Sequence, residues 1–390
     1  MKITIAQGAF FPVPPLRGGA VEKIWFALGR EFARRGHEVT HVSRAFGDLP
    51  REDVIGNVRY VRVRGFDTPR SLALLKTFDL LYSLRVLRVL PRADILVTHT
   101  FWLPLLIRSH RFGRLYVHAA RYPKGQMRFY SHAARLQTVS QPIKEAIIAE
   151  APGCRERIAC IPNPLPEAAY CEALPPANPR EKHLLYVGRV HPEKGLELLI
   201  RAITLIPDAA FAGWKLMVVG PAEDSAGGGG AMYLSFLKDL ARTTPHRVAW
   251  IGPVYDPPRL AEYYRASSLF VYPSLAERGE TFGLAPLEAM SHGCPALVSD
   301  LACFRDFIED ETNGFVFNHR GVDADRVLAQ KLTRLIGEAA QFDQARAAAA
   351  AKAKEFTVER IAGLYLRDFQ SLCAPPALSE RENLQPEIAL

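Results

Sequence analysis

The sequence predicts an α/β chain with two doubly wound parallel sheets facing a central cleft, and three observations carry that prediction. Short apolar runs alternate with amphipathic stretches over most of the length, the pattern of strands separated by crossover helices. A proline-rich stretch at residues 161–179 interrupts the alternation near the middle and fits neither a helix nor a central strand. With 390 residues, the chain is too long for one ordinary core and suits two units of comparable size.

The elements follow in order. Residues 3–7 read as a first strand, then Arg17-Gly18-Gly19 as a turn. An amphipathic helix comes next, with Val21, Ile24, Trp25, Leu28 and Phe32 at helical spacing and Gly36 as its stop. Strands are expected at 39–43, 58–63, 95–98, 114–118 and 136–139. The opening unit lacks G-x-G-x-x-G, which disfavours a dinucleotide-binding dehydrogenase. After the proline-rich linker a second alternation places strands at 183–187, 216–220, 248–252, 269–272 and 296–299. Residues 225–230, with four glycines, read as a mobile surface loop near the cleft. Residues 323–353 look helical, with Asp323 as N-cap, and Thr357 is expected to cap a last helix through residue 372. The expected divisions are residues 1–175, 180–355, a crossing helix at 356–373 and a flexible tail at 374–390.

The composition is that of a globular protein, 48% hydrophobic and 23% charged. No run approaches the roughly 20 apolar residues of a spanning helix. The opening residues lack a signal-peptide pattern, so the expected location is the cytosol. Six cysteines show no C-x-x-C spacing, which argues against a zinc site or a disulfide framework. Charge is uneven: residues 1–175 hold 26 Lys and Arg against 14 Asp and Glu, a net of +12, and the remainder hold 23 against 27, a net of −4. A basic first half suggests an anionic partner. The segment 74–92, rich in Leu and carrying Lys76, Arg85, Arg88 and Arg92, reads either as a core helix with a solvated face or as a helix lying on an anionic membrane.

The most informative stretch is Glu280-Thr-Phe-Gly-Leu-Ala-Pro-Leu-Glu288, two carboxylates with seven residues between them around a turn into a helix. It follows an expected strand, so it lies where open α/β sheets bind ligands. Free N–H groups of a first helical turn favour an anion, and Gly283 would let a phosphate approach the backbone. Ionised carboxylates only accept hydrogen bonds and therefore suit sugar hydroxyls. Arg189 and Lys194 bracket a turn after another strand, where both can point at one diphosphate. Gly18-Gly19 stands before a helix start and reads either as a phosphate approach or as a plain turn. His118 ends a strand, and its plain alternative is a satisfied core histidine. Asp323-Ala-Asp325 opens a helix and is rejected as a metal site.

These segments, with Ile161-Pro-Asn163-Pro, Tyr186 to Gly195 and Gly293 to Asp300 in the same order, resemble the retaining glycosyltransferases of family four. That resemblance implies the GT-B fold and the Glu-x7-Glu motif. It implies that Glu280 holds donor-sugar hydroxyls, Glu288 the nucleotide ribose, and Arg189 and Lys194 the diphosphate. His118 would touch the donor sugar, Val254 the base, and Gly18, Gly19, Phe282, Gly283 and Leu284 would help bind the donor. It further implies a nucleoside-diphosphate sugar, UDP- or GDP-linked, as co-substrate, with no metal or other cofactor. The acceptor would be a saccharide, lipid-linked or small, in glycoconjugate or polysaccharide synthesis. No nucleic acid is expected, and attachment to the inner membrane face is the alternative to a wholly cytosolic enzyme. Two other readings remain: a GT-B epimerase or phosphorylase, and a basic binding module without catalysis.

Overall fold

The computed structural model describes residues 1–374 apart from 17–18, 167–179, 243, 245 and 339. Most of the linker therefore lies outside the described residues, as do Gly18 and the tail from residue 375. Eight strands form the first sheet: β1 (Lys2–Ala6), β2 (Glu38–Arg44), β3 (Glu52–Ile55), β4 (Val58–Val63), β5 (Ile95–Thr98), β6 (Arg114–Ala119), β7 (Arg135–Thr138) and β8 (Ile158–Cys160). Their spatial order is β3-β4-β2-β1-β5-β6-β7-β8, parallel throughout except for β3, which pairs antiparallel with β4 at the edge. The second sheet is wholly parallel, in the order β11-β10-β9-β12-β13-β14. Its strands are β9 (Glu181–Val187), β10 (Lys215–Val219), β11 (Arg247–Gly252), β12 (Ser267–Tyr272), β13 (Ala296–Ser299) and β14 (Phe315–Phe317). Near-continuous burial along β5, β12 and β13 matches sheets covered on both faces.

Helices of the first half are α1 (Ala20–Arg34), α2 (Leu72–Val89), the single turn α3 (Leu103–Leu106) and α4 (Gln141–Glu150). Those that follow are α5 (Leu196–Thr204), the single turn α6 (Asp208–Phe211), α7 (Gly230–Arg242), α8 (Pro257–Ala266), α9 (Leu284–Ser291), α10 (Ala324–Gly337), α11 (Ala340–Ala353) and α12 (Val358–Cys373). α1 buries Ile24, Trp25, Leu28 and Phe32, the stripe read from its spacing. The Thr357 hydroxyl accepts from the Arg360 N–H at 3.4 Å and starts α12. That helix returns to the first half, where Tyr365 and Phe369 pack edge-on against Trp25, Phe32 and Tyr116. Asp368 accepts from Tyr116 Oη at 2.8 Å and pairs with Arg135 at 2.7 Å.

Several local expectations are corrected. β3, β8 and β14 were not anticipated; with three or four residues each they are too short to show a period. The 323–353 stretch is two helices. Asp323 stands at the N-cap of α10 but makes no side-chain cap, while the Asp325 carboxylate accepts from the Arg326 N–H at 2.8 Å. The glycine-rich loop is pinned rather than free, because Gly227 O accepts from Arg189 Nη1 at 2.7 Å and Gly229 N donates to Val190 O at 2.8 Å. Among the described residues no helix is long and apolar enough to cross a membrane.

Candidate active site

Strand order reverses between β1 and β5 in the first sheet and between β9 and β12 in the second, and ligands of open α/β sheets bind beyond the carboxyl ends at such points. Lys194 follows β9 and Glu280 follows β12, so the second switch point holds both. The two loops are tied together, Leu275 N donating to Glu193 O at 2.8 Å. Gly195 stands between Lys194 and α5 with φ 70°, and a Cβ there would fall 1.9 Å from the Pro273 carbonyl oxygen, so no larger residue fits this junction.

The Lys194 ammonium donates to Glu280 Oε2 at 2.7 Å, with only 7% and 11% of the two side chains exposed. Tyr272 Oη donates to the same oxygen at 3.1 Å and Ser274 Oγ lies at 3.4 Å. Such a pair withdraws two charges from water and persists because the carboxylate has these further donors. Arg189, expected beside Lys194, instead forks between Glu193 Oε1 at 2.8 Å and Gly227 O. The two cations are thus brought to one loop but held by different carboxylates.

Glu288 lies inside α9, and Tyr264 Oη donates to its Oε2 at 3.2 Å. Burial pushes the Glu288 carboxyl up to about 7, against the opposing effects of Tyr264 and of Lys23 on α1 of the other half. The Phe282 side chain is 1% exposed and packs on Phe307 and Phe356, so it shapes the turn from within the core. Gly283, at φ 91°, has Phe304 where a Cβ would stand, 2.4 Å away, a packing reason for glycine that needs no phosphate. Leu284 opens α9, and Val254 lies just past β11 on the sheet's edge side.

In the first half, Gly19 is the N-cap of α1, and the Glu22 carboxylate folds back over it, 2.2 Å from where a Cβ would sit. His118, near the end of β6, is buried with Trp25 and His99 against its ring at 5.5 and 4.9 Å between centroids. Burial pulls its pKa down to about 4, and that of His99 well below the usual value. The halves meet at these edges: Asp306 accepts from the Gln141 N–H at the start of α4 at 2.9 Å. Sequence reasoning missed Tyr264, Tyr272, Gln137, His99 and Glu22. Each sits within or beside an expected strand or helix and has no local pattern to distinguish it from core.

Two parallel-sheet α/β halves joined at their carboxyl edges, with a helix crossing back, define a GT-B architecture. The family described as Glycosyltransferase Family 4 matches residues 18–168, and that described as Glycosyl transferases group 1 matches residues 174–355. The chain belongs to this paired glycosyltransferase family and is a glycosyltransferase. An uncharacterized glycosyltransferase of Methanocaldococcus jannaschii is 26% identical, covering 84% of this chain and 89% of that one. Sucrose-phosphate synthase from Thermosynechococcus elongatus shares the fold with a TM-score of 0.77 at 19% identity, covering 95% of this chain and 98% of that one. Anabaena HepE in complex with UDP-glucose shares it with a TM-score of 0.66 at 20% identity, covering 95% and 100%. Several further relatives match over 44% to 50% of this chain and only 35% to 53% of their own length.

Proposed function

We propose that the chain transfers a hexosyl group from a nucleoside-diphosphate sugar to an acceptor hydroxyl with retention of anomeric configuration. The observation that carries this is the buried Lys194–Glu280 pair at the switch point, within one loop and helix of Glu288. A cation for a diphosphate and an acceptor-only carboxylate for sugar hydroxyls stand side by side there. Residues 180–355 form the donor side and residues 1–175 the acceptor side. Binding of a diphosphate draws Lys194 from Glu280 and Arg189 from Glu193, freeing both carboxylates. Glu280 then holds donor hydroxyls, Glu288 the ribose, and Val254 lies against the base. The backbone of Gly283 and Leu284, at the N-terminus of α9, adds its N–H groups to the leaving diphosphate. Gly19 approaches the donor from the other half.

Charge leaving with the diphosphate is stabilised by Lys194, Arg189 and that helix end, so no metal is required. Neither carboxylate serves as the nucleophile of a two-step glycosidase route; the incoming hydroxyl attacks on the face that the diphosphate leaves, and the diphosphate takes its proton. HepE, similar in fold, is a protein seen with UDP-glucose, which supports a UDP-linked donor; a GDP-linked one fits the same groups. Thermal stabilisation across UDP, GDP and ADP tests the reading: one base stands out if it is right, and none does if it is wrong. Activity unaltered by a chelator is the expected accompaniment, and loss restored by magnesium or manganese would overturn the metal-free scheme.

Leu74, Leu81 and Arg88 recur every seven residues on one exposed face of α2, which supports a peripheral contact with an anionic membrane and a lipid-linked acceptor in cell-surface glycan synthesis. Arg85 and Lys76 contribute less than their count suggests, since they lie over Phe66 and Phe101. Cosedimentation with anionic vesicles at low salt is expected; none at low salt would leave a small soluble acceptor.

A further inference from the structure

The buried side of His118 is specified more tightly than its role as a cleft residue requires. Its Nδ1 is hydrogen-bonded to the Gln137 side-chain amide on the neighbouring strand β7. That amide has two other partners, the main-chain carbonyls of Thr138 at 2.7 Å and Ile161 at 2.9 Å. Carbonyl oxygens only accept, so both require the NH2 end of Gln137. The amide cannot turn over, and its oxygen faces the imidazole. An amide oxygen also only accepts, so Nδ1 must carry the proton. A neutral ring has one N–H, which leaves Nε2 with a bare lone pair.

We propose that Gln137 is a positioning residue that fixes His118 in the Nδ1–H tautomer, so that His118 meets its substrate through Nε2 as a neutral acceptor for a hydroxyl and not as a donor to phosphate. Among the described residues Nε2 has no partner of its own. The groups packed against the ring are Trp25 from α1, His99 from the end of β5 and Gln137 from β7, none of them a carboxylate or a fixed cation. Burial holds both imidazoles below their usual pKa, so neither is charged near neutral pH. A neutral acceptor at this point divides the labour of the cleft. Phosphate is left to Lys194 and Arg189 across the gap, and the first half presents lone pairs to hydroxyls. The inference rests on the transferase reading for the identity of the hydroxyl, a donor-sugar or acceptor group, but not for the state of the ring.

The test is a long-range proton–nitrogen spectrum of the full chain with labelled histidine at pH 7.5, the His118 signals assigned by their loss in His118→Asn. A protonated Nδ1 beside a bare Nε2 is expected; a protonated Nε2, or a doubly protonated ring, overturns the proposal. Gln137→Leu should then mix the tautomers and lower turnover about tenfold, the scale for losing the partner that orients a functional histidine. The assay uses whichever of UDP-glucose, ADP-glucose and GDP-mannose the native chain consumes. UDP, GDP and ADP binding should stay unchanged, whereas a merely structural role would weaken nucleotide binding and melting temperature together. Native turnover in a folded Gln137→Leu chain overturns the positioning role, and if that variant does not fold, the native spectrum decides. The expected tautomer in a chain that consumes no nucleotide sugar upholds the ring assignment and overturns the transferase reading instead.

Discussion

The two edges of the cleft solve the same problem, polar groups at the ends of buried strands, in opposite ways. On the second half, charged groups are given matched partners: Lys194 pairs with Glu280 and Arg189 with Glu193, and Glu288 has the Tyr264 hydroxyl as its hydrogen-bond donor. On the first half the rings at the strand ends are neutral. His99, His118 and Trp25 stack edge to face, and among the described residues Gln137 supplies the one side-chain hydrogen bond to these three rings. The net charge of +12 on residues 1–175 would suggest the reverse, a cationic first half built to hold an anion. Much of that charge is spent on the fold. Arg62 reaches Pro50 O and Asp53, Arg44 binds Phe10 O and Phe66 O, and Arg157 holds the Ser131 and Ala133 carbonyls. A charge count over a sequence segment therefore says little about the field at one site.

The largest effect that could break this comparison is on the matched side. Lys194→Ala leaves Glu280 buried without its cation and should destabilise the chain by about 3 kcal/mol, while lowering turnover on the order of a hundredfold or more. Lys194→Met combined with Glu280→Leu should recover most of the stability and none of the activity. Calorimetry and single-turnover rates on both variants check this. If the single substitution leaves stability untouched, the pair is solvated and the contrast between the halves fails.

Next in size is a pH effect at Glu288. Its folded pKa of about 7 lies above the ordinary 4.5, so the folded chain binds this proton more readily than the unfolded chain does. The stability tied to that proton is full below about pH 4.5 and is lost as pH rises to about 7. Nucleotide affinity should run the other way, because a ribose hydroxyl prefers the carboxylate: binding is expected to tighten roughly tenfold from pH 6 to pH 8. Titration calorimetry with UDP and GDP measures it, and Glu288→Gln should flatten the profile. An unchanged pH slope in that variant would remove Glu288 from the nucleotide site.

Smaller effects sharpen the picture. Tyr272→Phe removes one donor from Glu280 but keeps Lys194, so a loss of about 1 kcal/mol in stability and a several-fold fall in turnover are expected. Asp306→Asn weakens the bond to the Gln141 N–H across the cleft. It should raise KM a few-fold with kcat nearly constant, and small-angle scattering should report a slightly larger radius of gyration. A fall in kcat alone would place Asp306 in the chemistry instead.

Much of this architecture was legible beforehand. Eleven of the strands announce themselves as apolar runs because a parallel strand covered on both faces must be apolar along its length. The Glu280 to Glu288 stretch, Arg189 and Lys194 were found because each follows such a strand and combines turn residues with charge. Phe282 and Gly283 show the limit of that reasoning. Their place beside the motif suggested ligand contact, but it did not reveal that Phe307 and Phe356 hold the Phe282 side chain in the core or that Phe304 leaves no room for a Cβ at Gly283.

By itself the sequence determined the alternation, the division near residues 161–179 and the chemical types gathered at the strand ends, because period and composition are local properties of the chain. Pairing was decided only by the tertiary structure. That Lys194 meets Glu280 across 86 positions, that Arg189 turns to Glu193, and that Gln137 with Ile161 O fixes the proton on His118 all depend on strand order and register. Hydrogen bonds and ion pairs act over a few ångströms of space, and separation along the chain does not report that distance.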